Sequence, residues 1–275
     1  MKTVTTEEFN LKLLQGFQVI DVRAPIEFAQ GALPNSVNIP LLDDQERALV
    51  GTCYKKSGRE KALELGHQIV SGVNKAEKLQ KWKSFYENHP HSILTCFRGG
   101  LRSQSVQTFL AEVGIEIPRI EFGYKEIRQF YLNEIEAYCK NDQLKILTGS
   151  TGSGKTKLLK RVREFYPVID LEELAQHRGS AFGAMKNPQP AQASFENYLA
   201  YEILKYKAQN LKADILFEDE SRLIGSLHLQ EAFFNKLRAT SVIKINVDLA
   251  ERIENILLED IQRRVENLEQ RMGIK

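Results

Sequence analysis

Several things are scarce in this 275-residue sequence, and each shortage removes a class of function. No apolar run approaches the ~18 residues of a membrane span, and Met1-Lys2-Thr3-Val4-Thr5-Thr6-Glu7-Glu8 has no apolar core of the kind a secretion signal carries. A cytoplasmic chain with no membrane partner is the expectation. Cysteine is limited to Cys53, Cys96 and Cys139, which form neither a paired framework nor a CxxC metal knuckle. That suits a reducing compartment and leaves a thiol free to react. Excess charge of one sign is also missing: 38 Lys and Arg against 36 Asp and Glu give a net charge of +2. A nucleic-acid partner would have to be drawn by local patches, because there is no global field to attract it.

Short apolar runs alternate with amphipathic stretches and there is no internal repeat, the pattern of parallel sheets covered by helices. The fold class expected is α/β, in two domains of roughly 140 residues each. Strands are expected at Phe17–Val22, Ser36–Ile39, Ser92–Thr95 and Pro118–Phe122 in the first half. In the second they fall at Leu144–Leu147, Pro167–Ile169, Ile215–Phe217 and Val242–Ile245. The polar stretch Cys139-Lys140-Asn141-Asp142-Gln143 divides the chain into domains 1–138 and 139–275. A last helix carries Ile253, Leu257, Ile261, Val265 and Leu268 on one stripe.

What is present is chemistry at two strand ends. Gly149-Ser150-Thr151-Gly152-Ser153-Gly154-Lys155-Thr156 is a Gly-x4-Gly-Lys-Thr phosphate loop, set between an expected strand and an expected helix from Thr156 to Phe165. Its glycines let backbone N–H groups converge on a diphosphate, Lys155 neutralises it, and the Thr156 hydroxyl reaches Mg2+. The motif reads a diphosphate moiety and a metal without proving nucleotide hydrolysis. Glu218-Asp219-Glu220, after a strand, offers carboxylates to that Mg2+, Glu218 and Asp219 being the candidates. A solvated acidic turn would look the same. Asp170 and Arg178 are candidate substrate contacts on fold analogy alone.

The other site is Cys96-Phe97-Arg98-Gly99-Gly100-Leu101-Arg102-Ser103, a cysteine at a strand's carboxyl end followed by a helix from Ser103. Loop amides and the helix N-terminus favour a thiolate there, Arg98 and Arg102 add charge, and Gly99 and Gly100 permit unusual dihedrals. A persulfide or perselenide would be held in the same way. Cys139 reads as structural, and Cys53 keeps a minor claim to a resolving role. For RNA, Lys55, Lys56 and Arg59, with Lys61, form one candidate patch. Trp82, Phe85 and Tyr86 beside Lys75, Lys78, Lys81 and Lys83 form another, which reads equally as an amphipathic helix with its rings in the core.

Asp21-Val22-Arg23, Glu27-Phe28, the run from Gly31 to Pro40, and Cys96-x5-Arg102-Ser103 together resemble a rhodanese domain over residues 1 to 138, with a long insert between Pro40 and His91. That implies a cysteine that ferries sulfur or selenium. With the phosphate-loop half and the insert's Val50-Gly51-Thr52-x-Tyr54-Lys55, the whole chain resembles the tRNA 2-selenouridine synthase family. The resemblance implies exchange of sulfur for selenium at C2 of a wobble 2-thiouridine, with selenophosphate as donor and an S-geranylated intermediate made from geranyl diphosphate. It further implies the tRNA anticodon arm and a selenophosphate-supplying enzyme as partners, and more sequence beyond Lys275 in the family. Two other readings stay open: a sulfurtransferase fused to a small-molecule kinase, and a nucleotide-responsive RNA-binding module. Oligomeric state is left open.

Overall fold

In a computed structural model the described residues are 2–177, 188–209 and 213–258. The chain divides into two compact units, Met1–Glu134 with Pro190–Tyr201, and Ile135–Gln189 with Glu202–Lys275. Each has a parallel sheet of its own. Among the described residues no helix is long and apolar enough to cross a membrane.

The first unit runs β1 (Thr3–Val4), α1 (Thr6–Leu14), β2 (Gln18–Asp21), α2 (Pro25–Ala29), β3 (Ser36–Asn38), α3 (Asp44–Ile69), α4 (Gly72–Asn88), β4 (Ser92–Thr95), α5 (Leu101–Ala111), β5 (Arg119–Ile120) and the start of α6 (Gly123–Asn141). Its five strands lie in the order β1-β5-β4-β2-β3, all parallel. β4 is buried at every residue, as expected of a strand covered by helices on both faces. Because β4 is central, Cys96 emerges at the sheet's carboxyl edge, where α/β folds place their ligands.

The insert forms α3 and α4. Asp43 and Glu46 make a reciprocal cap at the start of α3, and the helix breaks at Gly58, whose φ of 83° favours glycine. Trp82 of α4 is fully buried and donates to Ile39 O at 2.9 Å, and Phe85 and Tyr86 pack against the same core. The rings therefore stabilise the unit from inside, and the core reading of that stretch is the one observed.

The segment 190–201 lies inside the expected second domain, yet it belongs by contacts to the first unit. Buried polar groups tie it there. Ala32 N donates to Ser194 Oγ at 2.8 Å, Asn197 Nδ2 donates to Ala32 O at 2.8 Å, and Arg128 pairs with Glu196. No local periodicity announces such bonds, which join residues more than 160 positions apart in the first two cases.

The second unit contains β6 (Leu144–Gly149), α7 (Lys155–Val162), β7 (Val168–Ile169), α8 (Leu171–Leu174), the latter part of α9 (Gln192–Ala208), β8 (Ile215–Glu218), β9 (Leu223–Ile224), β10 (Leu227–His228), α10 (Glu231–Ala239) and β11 (Val242–Ile245). Residues 249–258 are helical. The main sheet is parallel in the order β11-β6-β8-β7, and β9 and β10 pair as a small antiparallel hairpin. Leu147, Leu159, Val168 and Leu216 form one core cluster, and Phe217 meets Phe233 edge-on at 5.3 Å. Central β6 delivers the phosphate loop at its carboxyl end.

Candidate functional site

In the first unit, two helix N-termini and a tight turn build the loop around Cys96. α5 begins at Leu101, while the first amides of α6 turn back: Tyr124 N donates to Cys96 O at 2.9 Å and Lys125 N to Phe97 O at 3.0 Å. The fit requires glycine. A Cβ on Gly99, φ +63°, would stand 1.8 Å from Glu121 O, and one on Gly123, φ +70°, 2.3 Å from Cys96 O. Arg119 Nη1 donates to Gly99 O at 2.5 Å and pins the loop from β5.

Inside the loop, Cys96 Sγ lies 3.2 Å from Ser103 Oγ and 3.9 Å from Gly100 O. Cys96 is 3 % exposed, so the thiol sits at the base of the loop, deeper than an accessible nucleophile read from sequence alone. The two arginines diverge. Arg102 is engaged bidentately by Glu27, with Nη2 to Oε1 at 3.2 Å, while Arg98 is exposed and lies over Phe97. Arg47 of α3 also approaches Glu27, at 3.7 Å.

Glu27 stands in the sequence only as part of a motif, and the structure makes it the anchor of Arg102. Burial pushes its carboxyl up, but the hydrogen bonds and charge of Arg102, helped by the Ala24 amide and Arg47, outweigh that and hold it below its ordinary value. The pH consequence follows by linkage. A depressed carboxylate adds stability that is present above the unfolded pKa of ~4.3 and is lost as pH falls through the lower folded value. Urea unfolding from pH 6 to 2.5, followed by the fluorescence of Trp82, should therefore show a steeper acid loss in wild type than in Glu27→Gln. Parallel profiles would rule the pair out as a stabilising contact.

Asp21 and Arg23 form a buried pair at 2.7 Å. Arg23 also donates to Gly31 O at 2.6 Å and lies 3.8 Å over the Tyr124 ring, so these motif residues fix the start of α6 and hence the cysteine loop. Lys55, Lys56 and Arg59 are exposed on α3 beside its break at Gly58, and Lys56 borders an open groove with Leu49 and Cys53. Burial pushes the Cys139 thiol up to about 11, which suits an inert residue.

In the second unit the phosphate loop has the expected build. Gly149 ends β6, Gly152 and Gly154 have φ of +79° and +75°, and α7 starts at Lys155. Lys155 Nζ lies 3.0 Å from Glu218 Oε1 and 3.8 Å from Glu220 Oε1. Glu172, Glu218 and Glu220 bring one carboxylate oxygen each within 4.8 Å of one another. Glu218 is 1 % exposed on its side chain, and neither oxygen accepts a hydrogen bond of ordinary geometry despite the close ammonium.

Among the described residues, Lys155 therefore faces several acids. Burial, Glu172 and Asp170 push the Glu218 carboxyl up against the pull of Lys155, and burial and Glu172 push Glu220 up to about 7. For Lys155 burial works downward, but the surrounding carboxylates prevail and raise it. Buried Glu218, neither of whose oxygens is hydrogen-bonded, stands with Glu220 and Glu172 in a carboxylate set of the kind a hard divalent cation fits.

Asp219 points elsewhere: it accepts from Thr148 Oγ1 at 2.6 Å and pairs with Arg238 at 3.2 Å. Asp170 is buried and caps α8 through Glu173 N at 2.9 Å, close enough to act on Glu218 by its charge. Arg178, with Ile261, Val265 and Leu268 of the expected last helix, lies outside the described residues.

The folds and sites define a rhodanese-like α/β unit combined with a phosphate-loop α/β unit. Profile comparison agrees: the rhodanese-like domain matches residues 5–130, and the tRNA 2-selenouridine synthase AAA domain matches residues 142–275. A tRNA 2-selenouridine synthase of Nitrosomonas europaea is 50 % identical over 238 residues, covering 86 % of this chain and 62 % of that protein. One from Shewanella sp. (strain MR-7) is 42 % identical over 274 residues, covering 100 % of this chain and 73 % of its own length. Among solved structures, the N-terminal domain of a putative ATP/GTP binding protein from Clostridium difficile 630 is 32 % identical, with a TM-score of 0.43, covering 48 % of this chain and 99 % of that one. The chain belongs to the tRNA 2-selenouridine synthase family. It spans just under two thirds of the Nitrosomonas relatives it matches.

Proposed function

We propose that the chain modifies the wobble uridine of tRNA, replacing the sulfur of 2-thiouridine by selenium through an S-geranylated intermediate. The observation that carries this reading is the pairing, in one chain of this family, of a glycine-fitted thiol loop with a phosphate loop whose lysine faces a buried carboxylate cluster. A bare thiocarbonyl expels sulfide poorly, whereas an alkylated sulfur leaves as a thiol.

In the first half-reaction, the C2 sulfur attacks C1 of geranyl diphosphate, the C1–O bond breaks, diphosphate departs and the N3 proton is lost. The amides of Gly149 to Thr156 hold the diphosphate and Lys155 neutralises it. Glu218, Glu220 and Glu172 would hold Mg2+, which when bound adds charge neutralisation for the leaving group. In the second, the selenium of selenophosphate attacks C2 and geranylthiol leaves with a proton, after which water cleaves the P–Se bond and phosphate departs. Cys96 positions the selenophosphate selenium through its thiol, with the loop amides, Arg98 and Arg102 around it, and no S–Se bond has to form. Exposed Lys55, Lys56 and Arg59 meet the anticodon arm, and a selenophosphate-supplying enzyme works upstream.

The test is nucleoside mass spectrometry of thiolated tRNA incubated with the protein, geranyl diphosphate and selenophosphate. S-geranyl-2-thiouridine should appear with the diphosphate alone, and 2-selenouridine when both are present. Unchanged nucleosides in every combination, in a protein of the relatives' full length as well, would reject the proposal.

A further inference from the structure

Beside the phosphate loop lies a cavity of about 400 Å3, within the ~300–1,000 Å3 of small-molecule sites. Ser150 and Ser153 of the loop, Lys244, Asn246 and Asp248 around the end of β11, and Arg252 contribute to its wall. It lies on the β11 side of β6, whereas Glu218 ends β8, the neighbour of β6 on the other side. The loop thus has an acidic flank and a second, mixed polar flank.

The wall is a fixed structure. Arg252 Nε donates to Thr151 O at 2.9 Å and Asn255 Nδ2 to Gly152 O at 2.9 Å, while Asp248 Oδ1 accepts from Glu251 N at 2.9 Å and starts the helix. A Cβ on Gly152 would stand 2.4 Å from Arg252 O, so loop and helix meet without spare room. Ser153 is 7 % exposed, and its hydroxyl, buried at the cavity's edge, has no hydrogen-bond partner. A buried hydroxyl in that state is costly unless a bound group bonds to it.

The chemistry of the wall decides the occupant. Ile245 and Val247 also line the cavity, but an isoprenoid chain has no donors or acceptors and would give nothing in return to Lys244, Asn246, Asp248 and Arg252, which outnumber them. A ribose and a base present hydroxyls, carbonyls and ring nitrogens to all four. We propose that this cavity is a nucleoside seat beside the diphosphate loop. The inference rests on the diphosphate reading for its geometry. The nucleoside is either joined to the diphosphate that the loop holds or is the acceptor nucleoside of the RNA.

Calorimetric titration of the whole chain separates these sources, with pyrophosphate, ADP, GDP, geranyl diphosphate and an anticodon stem-loop containing 2-thiouridine as ligands. Lys244→Ala and Asn246→Ala are the variants, both side chains being exposed. Affinity for the nucleoside-bearing ligand should fall ten-fold or more in both, while pyrophosphate and geranyl diphosphate change less than two-fold. A loss confined to ADP or GDP assigns the seat to a nucleotide, and one confined to the stem-loop assigns it to the acceptor. If every nucleoside-bearing ligand binds the variants as it binds wild type, or if geranyl diphosphate is the ligand that weakens, the seat does not exist. Absence of pyrophosphate binding with the stem-loop effect intact would remove the diphosphate reading and leave the seat standing.

Discussion

Lys155→Ala should lower S-geranylation of thiolated tRNA at least ~100-fold, a loss of about 2.7 kcal/mol of transition-state stabilisation, while selenium still enters tRNA that is supplied already geranylated. Lys155 is the cation of the phosphate loop, and on the proposed reading it meets the charge that develops on the diphosphate as the C–O bond breaks. The variant should fold. Deleting a cation beside a buried carboxylate is usually destabilising, but burial and the neighbouring acids already push Glu218 upward against Lys155. Without the lysine the carboxyl is pushed further up, toward its neutral form, which limits the buried charge left unpaired. Near-wild-type geranylation in a folded Lys155→Ala protein would mean that the loop serves some other ligand. Loss of both half-reactions together would mean that the two chemistries are not divided as proposed.

The parts of this molecule that were legible in the sequence are those encoded by neighbours. Apolar runs ending in Cys96 and in Gly149 gave the central strands β4 and β6, because a covered parallel strand is nearly continuous in apolar residues and its loop follows at once. The two-residue strands β5 and β7 fall within longer expected runs, whereas β1 and β9, equally short, have no such run around them and were not visible. The partners of the motif residues were equally hidden. Glu27 meets Arg102 across 75 positions, and only the fold selects that pair. The sequence does carry one further signal. Past the end of β8, Glu218 and Glu220 share a side because extended backbone alternates, so Glu220, and not Asp219, joins Glu218 at Lys155. The assignment of 190–201 to the first unit depended on buried hydrogen bonds to Ala32, which leave no local trace.

Cys96→Ala is the complementary prediction. Geranylation should stay within ~3-fold of wild type, while conversion of S-geranyl-2-thiouridine to 2-selenouridine falls at least ~100-fold, again about 2.7 kcal/mol. The substitution is a clean probe because it removes one sulfur from a site whose shape is set by backbone. Gly99 and Gly123 interlock with Glu121 O and Cys96 O, and the amides of Tyr124 and Lys125 hold the loop whatever side chain residue 96 carries. The lost contacts are those of Sγ with Ser103 Oγ at 3.2 Å and Gly100 O at 3.9 Å, weak ones that the loop can spare. Burial sharpens the expectation. A thiol at the base of the loop, 3 % exposed, is shielded from bulk oxidants and alkylating reagents. Iodoacetamide should label Cys96 more slowly than Cys53, which is half-buried on α3, and selenophosphate should slow the labelling of Cys96 further while leaving Cys53 unchanged. If Cys96→Ala converts geranylated tRNA to 2-selenouridine at the wild-type rate, the buried sulfur is a core atom, and selenophosphate must reach C2 without it.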